Sequence, residues 1–376
     1  MSTHKKGAPV RIALVGTGGI AAVHADNVVR MGDRGQIVAA TDIDQGRLDA
    51  FCAEWKIPGN YSTLTALLDS VTEENPLDIV HLCSPPGLHK DQAIEILLRG
   101  INVLSEKPPA LSLAELDEIT AAEKRGGANF ATVSQHRFGG RALWLRDVVE
   151  NGGFGQLMTG VCHTLWYRAD DYFELPWRGK WELEGGGPTM GHGIHQIDTA
   201  LSLVGDWAQV VAVASRRARK IETEDVSHAI VTLDNGAVIS VVNSLLSPRE
   251  TSYLRFDFEY ATVELSHLYG YSDTDWTVTP APGYEALVEG IVAQGPHGRG
   301  SGHSAQFEAI ADALDAGETL PVTIGSARKT LELIAAIYES AFTGARISAG
   351  EITPDSAFYS SMEGSGATWA KELNVV

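Results

Sequence analysis

Cysteine is scarce in this sequence of 376 residues: only Cys52, Cys83 and Cys162 are present, an odd number widely spaced. That pattern excludes a disulfide framework and a zinc knuckle, and a buried thiol in a reducing compartment is the expected state of each. Basic residues are also few, 29 Lys and Arg against 48 Asp and Glu, a net charge of −19. Nucleic acid and anionic membrane both demand a basic surface, so neither is an expected partner; the acid excess speaks to solubility rather than to fold. No stretch reaches the roughly 18 apolar residues of a membrane span. Met1–Pro9 is polar, carries Lys5 and Lys6, and leads into no apolar signal core. A cytoplasmic location is therefore expected. Internal repeats and low-complexity linkers are absent.

What is present suits a globular enzyme: 44% of residues are apolar and 20% charged, enough for a large core without staples. At roughly 100–200 residues per domain, two domains are expected. Residues 1–134 alternate strand and helix. Strand patterns cover Val10–Val15, Gln36–Thr41, Leu77–Cys83, Ile101–Leu104 and Phe130–Ser134. Helical patterns cover Ile20–Met31, Gln45–Trp55, Lys90–Arg99 and Leu113–Arg125, the last with Ser112 as cap and Glu115 completing a capping box. Such alternation predicts parallel βαβ units, a doubly wound sheet covered on both faces. Residues 135–376 read differently. Helices are predicted over Arg141–Glu150, Gly193–Val204, Ser304–Ala316 and Ala327–Ser340. The helix at 193 has a stripe of Ile194, Ile197, Leu201 and Val204. Strands are predicted over Gln156–Arg168, Gln209–Ser215, Val226–Leu233, Ala237–Ser244, Tyr253–Tyr260 and Thr262–Leu268, with Asn235-Gly236 as a hairpin signal.

The first strand ends in Gly16-Thr17-Gly18-Gly19-Ile20-Ala21, which is G-x-G-x-x-A with a strand before it and a helix after. Gly16 permits the tight turn, Gly18 lets backbone approach a pyrophosphate, and Ala21 lets helix and strand pack closely. Free N–H groups at the helix start face the phosphates. Asp42, at the end of the second strand, is placed to accept from the ribose hydroxyls and repel a 2′-phosphate, which favours NAD. Arg47 is close enough in sequence to pair with a 2′-phosphate, so NADP stays open.

Two further places carry chemistry. Lys107 follows the strand Ile101–Leu104, at the carboxyl edge where a doubly wound sheet holds its ligands, and its ammonium can hydrogen-bond a substrate oxygen. The run Gly185-Gly186-Gly187-Pro188-Thr189-Met190-Gly191-His192-Gly193-Ile194-His195 leads into a helix, with Asp198 one turn beyond His195. An imidazole suits proton transfer from an alcohol. His192, His195 and Asp198 are all ligand types, but their spacing drifts around a helix and lacks the i, i+4 pair of zinc helices, so no metal is expected. Trp166-Tyr167-Arg168-Ala169-Asp170-Asp171-Tyr172 and Trp177-Arg178 combine aromatic faces with hydroxyl-gripping charges. They suit a polyhydroxylated ligand, or an aromatic domain junction. Arg137 either faces the substrate or braces the junction.

Taken in order across nearly the whole chain, these marks resemble the glucose–fructose oxidoreductase / inositol dehydrogenase (Gfo/Idh/MocA) family. Cys83-Ser84-Pro85-Pro86-Gly87-Leu88-His89 is similar to its C-T-P-N-x-x-H segment, Glu106-Lys107-Pro108 to its E-K-P, and Gly193–Asp198 to the end of its glycine–histidine motif. Phe307 through Gly344 is similar to its closing helices. The resemblance implies a Rossmann domain followed by an α/β domain with a large, open, mainly antiparallel sheet, through which members form homodimers or homotetramers. It implies NAD(P)-dependent hydride transfer to or from a carbinol carbon of a sugar, polyol or sugar derivative. Lys107 would be the proton-relay lysine and His195 the catalytic imidazole. The cofactor would lie against Gly16, Thr17, Gly18, Gly19, Ile20, Asp42, Ser84, Pro85, His89, Glu106 and Lys107. The substrate would lie against Arg137, Trp166, Tyr167, Arg168, Trp177, His192, His195 and Asp198. Two positions depart from the pattern: Gly191 stands for the family's aspartate four residues before the histidine, and Pro86 for an asparagine. Either His192 fills the space at 191 or the relay is rewired. Two other readings compete, an NAD-dependent glycosidase working by transient oxidation and elimination, and a non-catalytic dinucleotide-sensing regulator.

Overall fold

In the computed structural model, residues 4–296, 298–367 and 369 are described. The chain forms two compact units.

The first unit contains β1 (Val10–Val15), α1 (Gly19–Arg30), β2 (Gly35–Thr41), α2 (Gln45–Trp55), β3 (Gly59–Tyr61), α3 (Leu64–Asp69), β4 (Ile79–Leu82), α4 (His89–Leu98), β5 (Asn102–Ser105), α5 (Leu113–Gly126) and β6 (Phe130–Thr132). The six strands lie in the order β3-β2-β1-β4-β5-β6, all parallel. Their apolar runs are buried on both faces, as a parallel sheet between helices requires: Ile12, Leu14, Ile79, Val80, Val103 and Leu104 are all essentially inaccessible. The strand order reverses between β1 and β4. That is the switch point beyond whose carboxyl ends such folds hold ligands.

The second unit contains α6 (Gly140–Glu150), β7 (Leu157–Tyr167), α7 (Trp181–Glu184), α8 (Ile194–Val204), β8 (Trp207–Ser215), β9 (Val226–Leu233), β10 (Val238–Ser244), β11 (Leu246–Phe258), β12 (Ala261–His267), β13 (Trp276–Pro280) and α9 (Glu285–Val292). After α10 (His303–Ala316) come α11 (Ile324–Thr343) and β14 (Ile347–Ser348). The eight strands form one sheet, β13-β12-β11-β7-β10-β9-β8-β14. Every pairing is antiparallel except β7 with β10. Strand residues alternate: Val210, Ala212, Val231, Ile239 and Val241 are buried, whereas Val211, Val213, Ile230 and Val238 are exposed. Asn235-Gly236 makes the β9–β10 turn, with Gly236 at φ +86° and the Ala237 N–H donating to Asn235 Oδ1 at 3.0 Å.

The structure differs from the expected layout in three respects. A single cut at 134 assigns all of 135–376 to the second domain, but His303–Ala327 packs in the first unit, and 111–113 belong to the second. The α10 helix buries Phe307, Ile310, Ala311 and Leu314 in the first unit's core. An amphipathic helix carries no label saying which sheet it covers, so its destination is a tertiary outcome. The stripe expected on α8 is incomplete. Leu201 is only half-buried, whereas His195, Gln196, Asp198 and Thr199 are buried with Ile194 and Ile197. Finally β3, α3, β13 and α9 were unanticipated, and β11 begins at Leu246 rather than Tyr253.

Candidate active site

At the end of β1 the backbone turns on Gly16, at φ +87°, and a Cβ there would stand 2.9 Å from Cys83 O. No other residue fits that left-handed, closely approached position. A Cβ on Gly18 or Gly19 would meet no atom within 4 Å, so the start of α1 presents open backbone to a phosphate. Ala21 is fully buried. Asp42 Oδ2 accepts from the Thr17 N–H at 2.8 Å and the Thr17 hydroxyl at 2.9 Å. Its Oδ1 accepts from Asp44 N–H at 2.9 Å and from Arg47 at 3.2 Å. Burial works to raise the Asp42 carboxyl; these hydrogen bonds and the Arg47 charge outweigh it and hold the group below the usual range. The carboxylate is thus ionised and fixed, and the Arg47 charge is already engaged by Asp42. A dinucleotide fits these residues: glycine backbone for the pyrophosphate and an anchored anion for the ribose hydroxyls.

The loops beyond β4 and β5 are tied together. His89 places Nδ1 2.9 Å from Pro108 O and Nε2 2.9 Å from Ser84 O, while Ser84 Oγ donates to Gln92 at 2.6 Å. Glu106 is buried beneath them. One carboxylate oxygen meets His24 Nε2 at 3.0 Å and His303 Nε2 at 3.4 Å, and the other accepts the Lys107 N–H at 3.1 Å. His24 continues the chain to His81, Nδ1 to Nδ1, at 3.0 Å. Burial opposes ionisation of Glu106, but hydrogen bonds from His24 and His303 hold its carboxyl well below the usual range. Burial likewise lowers His24 and His81. Among the described residues, His24, Glu106 and His303 alone gather three ligand-type atoms, within 4.8 Å of one another. In this structure those atoms bond each other and hold the Lys107 backbone. Sequence reasoning missed His24, His81 and His303; only their shared histidine identity signalled anything.

In the second unit the glycine run is held by Glu224. This buried carboxylate accepts from Gly187 N–H at 3.0 Å, Thr189 N–H at 3.1 Å and the Tyr338 hydroxyl at 2.9 Å. Burial raises it to about 7 against those bonds. A Cβ on Gly187 would stand 2.0 Å from Glu224 O, and one on Gly193 2.1 Å from Asn243 Oδ1. The glycines are therefore packing requirements that deliver His192 and His195. Gly191 is different: a Cβ there would meet only Glu184 Oε1, at 3.6 Å. The carboxylate bordering the position of the missing aspartate is thus Glu184, which the sequence did not flag.

His195 is buried, its ring centroid 5.0 Å from that of His136 and 5.6 Å from that of Tyr269. The Gln196 amide N–H₂ faces His267 Nε2 at 3.0 Å and His136 Nδ1 at 3.4 Å. Burial lowers His267 to about 4. His192 meets the Tyr172 hydroxyl at 3.3 Å and stands edge-on to Trp166 at 5.1 Å. Arg137 grips Asp198 with Nε, at 2.6 Å, and Nη2, and Thr330 Oγ1 donates to the same carboxylate at 3.0 Å. Arg137 and Asp198 therefore brace each other. Arg168 lies over Trp166 and Tyr172, and Arg178 over Trp177 and Tyr172. Trp166, Tyr172, Arg168 and Arg178 with His192 make one continuous wall; Tyr167 is exposed beside it and packs against Arg219. His136, His267 and Tyr269 carried no motif.

Residues 10–133 match an oxidoreductase family with an NAD-binding Rossmann fold, GFO/IDH/MocA, and residues 143–264 match the GFO/IDH/MocA C-terminal domain. The chain is 26% identical to the D-glucoside 3-dehydrogenase of Escherichia coli, covering 92% of this chain and 99% of that one. It is also 26% identical to a D-xylose 1-dehydrogenase (NADP(+)) of Haloferax volcanii, over 89% and 98%. Among solved structures, the WlbA dehydrogenase of Bordetella pertussis in complex with NADH and UDP-GlcNAcA superposes with a TM-score of 0.80 at 26% identity, covering 90% and 98%.

Proposed function

Because the chain belongs to the Gfo/Idh/MocA family of NAD-binding oxidoreductases, we propose that it transfers hydride between nicotinamide and a carbinol carbon of a sugar, polyol or sugar derivative. The observation that carries the reading is the glycine turn at Gly16, seated at the switch point of a parallel sheet and followed at once by α1. NAD, when bound, supplies the hydride acceptor. Gly18, Gly19 and Ile20 would meet its pyrophosphate and Asp42 its ribose, with Ser84, Pro85, His89 and Glu106 shaping the nicotinamide end. Lys107, carried on a backbone N–H that Glu106 holds, hydrogen-bonds the reacting oxygen, and His195 takes its proton. Arg137 and Asp198 position α8, and Trp166, Tyr167, Arg168, Trp177 and His192 receive the sugar. D-Glucoside and D-xylose dehydrogenases among the relatives support a sugar as substrate. We further propose homodimers or homotetramers formed through the second unit's sheet, because its uncovered face exposes Val211, Val213 and Ile230.

A screen of sugars, glycosides and polyols with NAD and with NADP, following absorbance of the reduced nicotinamide, tests the assignment. Turnover with NAD is expected, and Lys107→Ala and His195→Asn should each lower kcat by about a hundredfold or more. Both variants turning over at the wild-type rate would remove them from the relay. Free sugar released from a glycoside without net reduced nicotinamide would replace the dehydrogenase with a glycosidase.

A further inference from the structure

We infer that the substrate is an uncharged sugar or glycoside, and that sugars bearing a carboxylate, such as uronic acids, are selected against. The inference deepens the proposed function and rests on its placing of the sugar against the Trp166–Tyr172 wall.

Binding a sugar carboxylate calls for a cation with charge to spare, usually a guanidinium offering two parallel N–H groups. Each arginine of this wall and its surroundings already has a carboxylate partner. Arg178 Nη1 bonds the buried Glu184 at 2.5 Å. Arg168 Nη1 bonds Glu250 at 3.0 Å, and Arg219 Nη1 bonds Asp170 at 3.1 Å. Arg137 presents both arms of its fork to Asp198. The guanidinium faces are occupied as well. Arg168 lies 4.8 Å over Trp166, Arg178 3.9 Å over Trp177, and Arg219 5.2 Å over Tyr167. Glu184 also accepts the Gly179 N–H at 2.6 Å, so it is fixed and does not yield Arg178 to a ligand.

The surrounding charge has the wrong sign for an anion. Trp166–Glu184 contains three cations, Arg168, Arg178 and Lys180, against five carboxylates, Asp170, Asp171, Glu174, Glu182 and Glu184. Asp171 and Glu174 are exposed on the same short segment as Tyr172. A uronate entering here would lose water, would find each of these arginines already paired with a carboxylate, and would meet like charge that outnumbers the exposed Lys180, a combination that discriminates strongly. A neutral ring meets no such penalty. Its C–H faces can lie on aromatic rings, and its hydroxyls can donate to the carboxylates and accept from the remaining guanidinium N–H groups.

The test uses the full-length protein with NAD and matched pairs differing only at C6: methyl β-D-glucoside with methyl β-D-glucuronide, and galactose with galacturonate. Each sugar is also titrated calorimetrically into the NADH-loaded protein. We expect kcat/KM and affinity to favour the neutral member by about tenfold or more. Glu250→Gln keeps the shape and the acceptor for the Tyr167 N–H but removes the charge that neutralises Arg168. It should narrow the preference by about threefold or more. Equal or better turnover and binding of the uronates, or a preference unmoved by Glu250→Gln, overturns the inference and leaves the dehydrogenase standing. Neither turnover nor binding of any of these sugars overturns the sugar-dehydrogenase reading, and this inference with it.

Discussion

His267 shows how one half-buried side chain couples this fold to pH. Burial lowers it from the ordinary 6.5 to about 4. Below 6.5 the unfolded chain takes up a proton that the folded chain refuses, so this contribution is intact above 6.5 and is lost as the pH falls towards 4. At about 1.4 kcal/mol per unit, the loss reaches about 2 kcal/mol at pH 5. His24 and His81 shift in the same direction, also through burial. Urea midpoints at pH 7 and pH 5 should show acid destabilisation, and His267→Gln, which still accepts from Gln196, should lessen it by about 2 kcal/mol; an unchanged pH dependence would contradict the assignment. His195 and Lys107 were singled out as candidates because each stands in a short local motif. His24 and His303 were not, because they meet at a carboxylate 82 and 197 residues distant in the chain.

The π-helical turn Thr189–Gly193 leading into α8 contains two glycines that read alike in sequence and differ in packing. Gly191 has room for a methyl, its nearest neighbour lying 3.6 Å from the Cβ position, and it lacks a left-handed φ. Gly191→Ala should stabilise the protein by about 0.5–1 kcal/mol, since the unfolded chain loses more freedom than the folded one. Gly193→Ala should destabilise it by about 2 kcal/mol or more, because the new methyl would overlap the buried Asn243 amide. Urea unfolding of both variants decides this; similar shifts would show that the turn is not packed as described. The long strands and helices were readable from their periodicity. The missed β3 has only three residues and begins at Gly59, too short for an alternation to register.

The second unit's sheet leaves one apolar face uncovered, with Val211 and Ile230 directly paired across β8 and β9 and Val213 67% exposed. Exposed apolar patches commonly mark association surfaces, and the proposed oligomer would bury this one. The wild-type protein should run as a dimer or tetramer by size-exclusion chromatography with light scattering. Val213→Asp, which buries no charge within the unit, should shift it towards monomer with its thermal midpoint little changed. A monomeric wild type would refute the assignment. Among the described residues no helix is long and apolar enough to cross a membrane.

Order along the chain was sufficient for everything that depends on near neighbours: the Gly16 turn opening α1, the Asn235-Gly236 hairpin, the strand–helix alternation, and the placing of Lys107 and His195 in their motifs. Turn conformation and periodicity are local, so a few adjacent residues specify them. The packed molecule decided which carboxylate meets which cation. It set Glu106 beneath the histidines, Glu184 beside Gly191, Asp198 in the grip of Arg137, and returned α10 to the first sheet. Those pairings depend on burial and on segments far apart in the chain, and no local pattern encodes the partner.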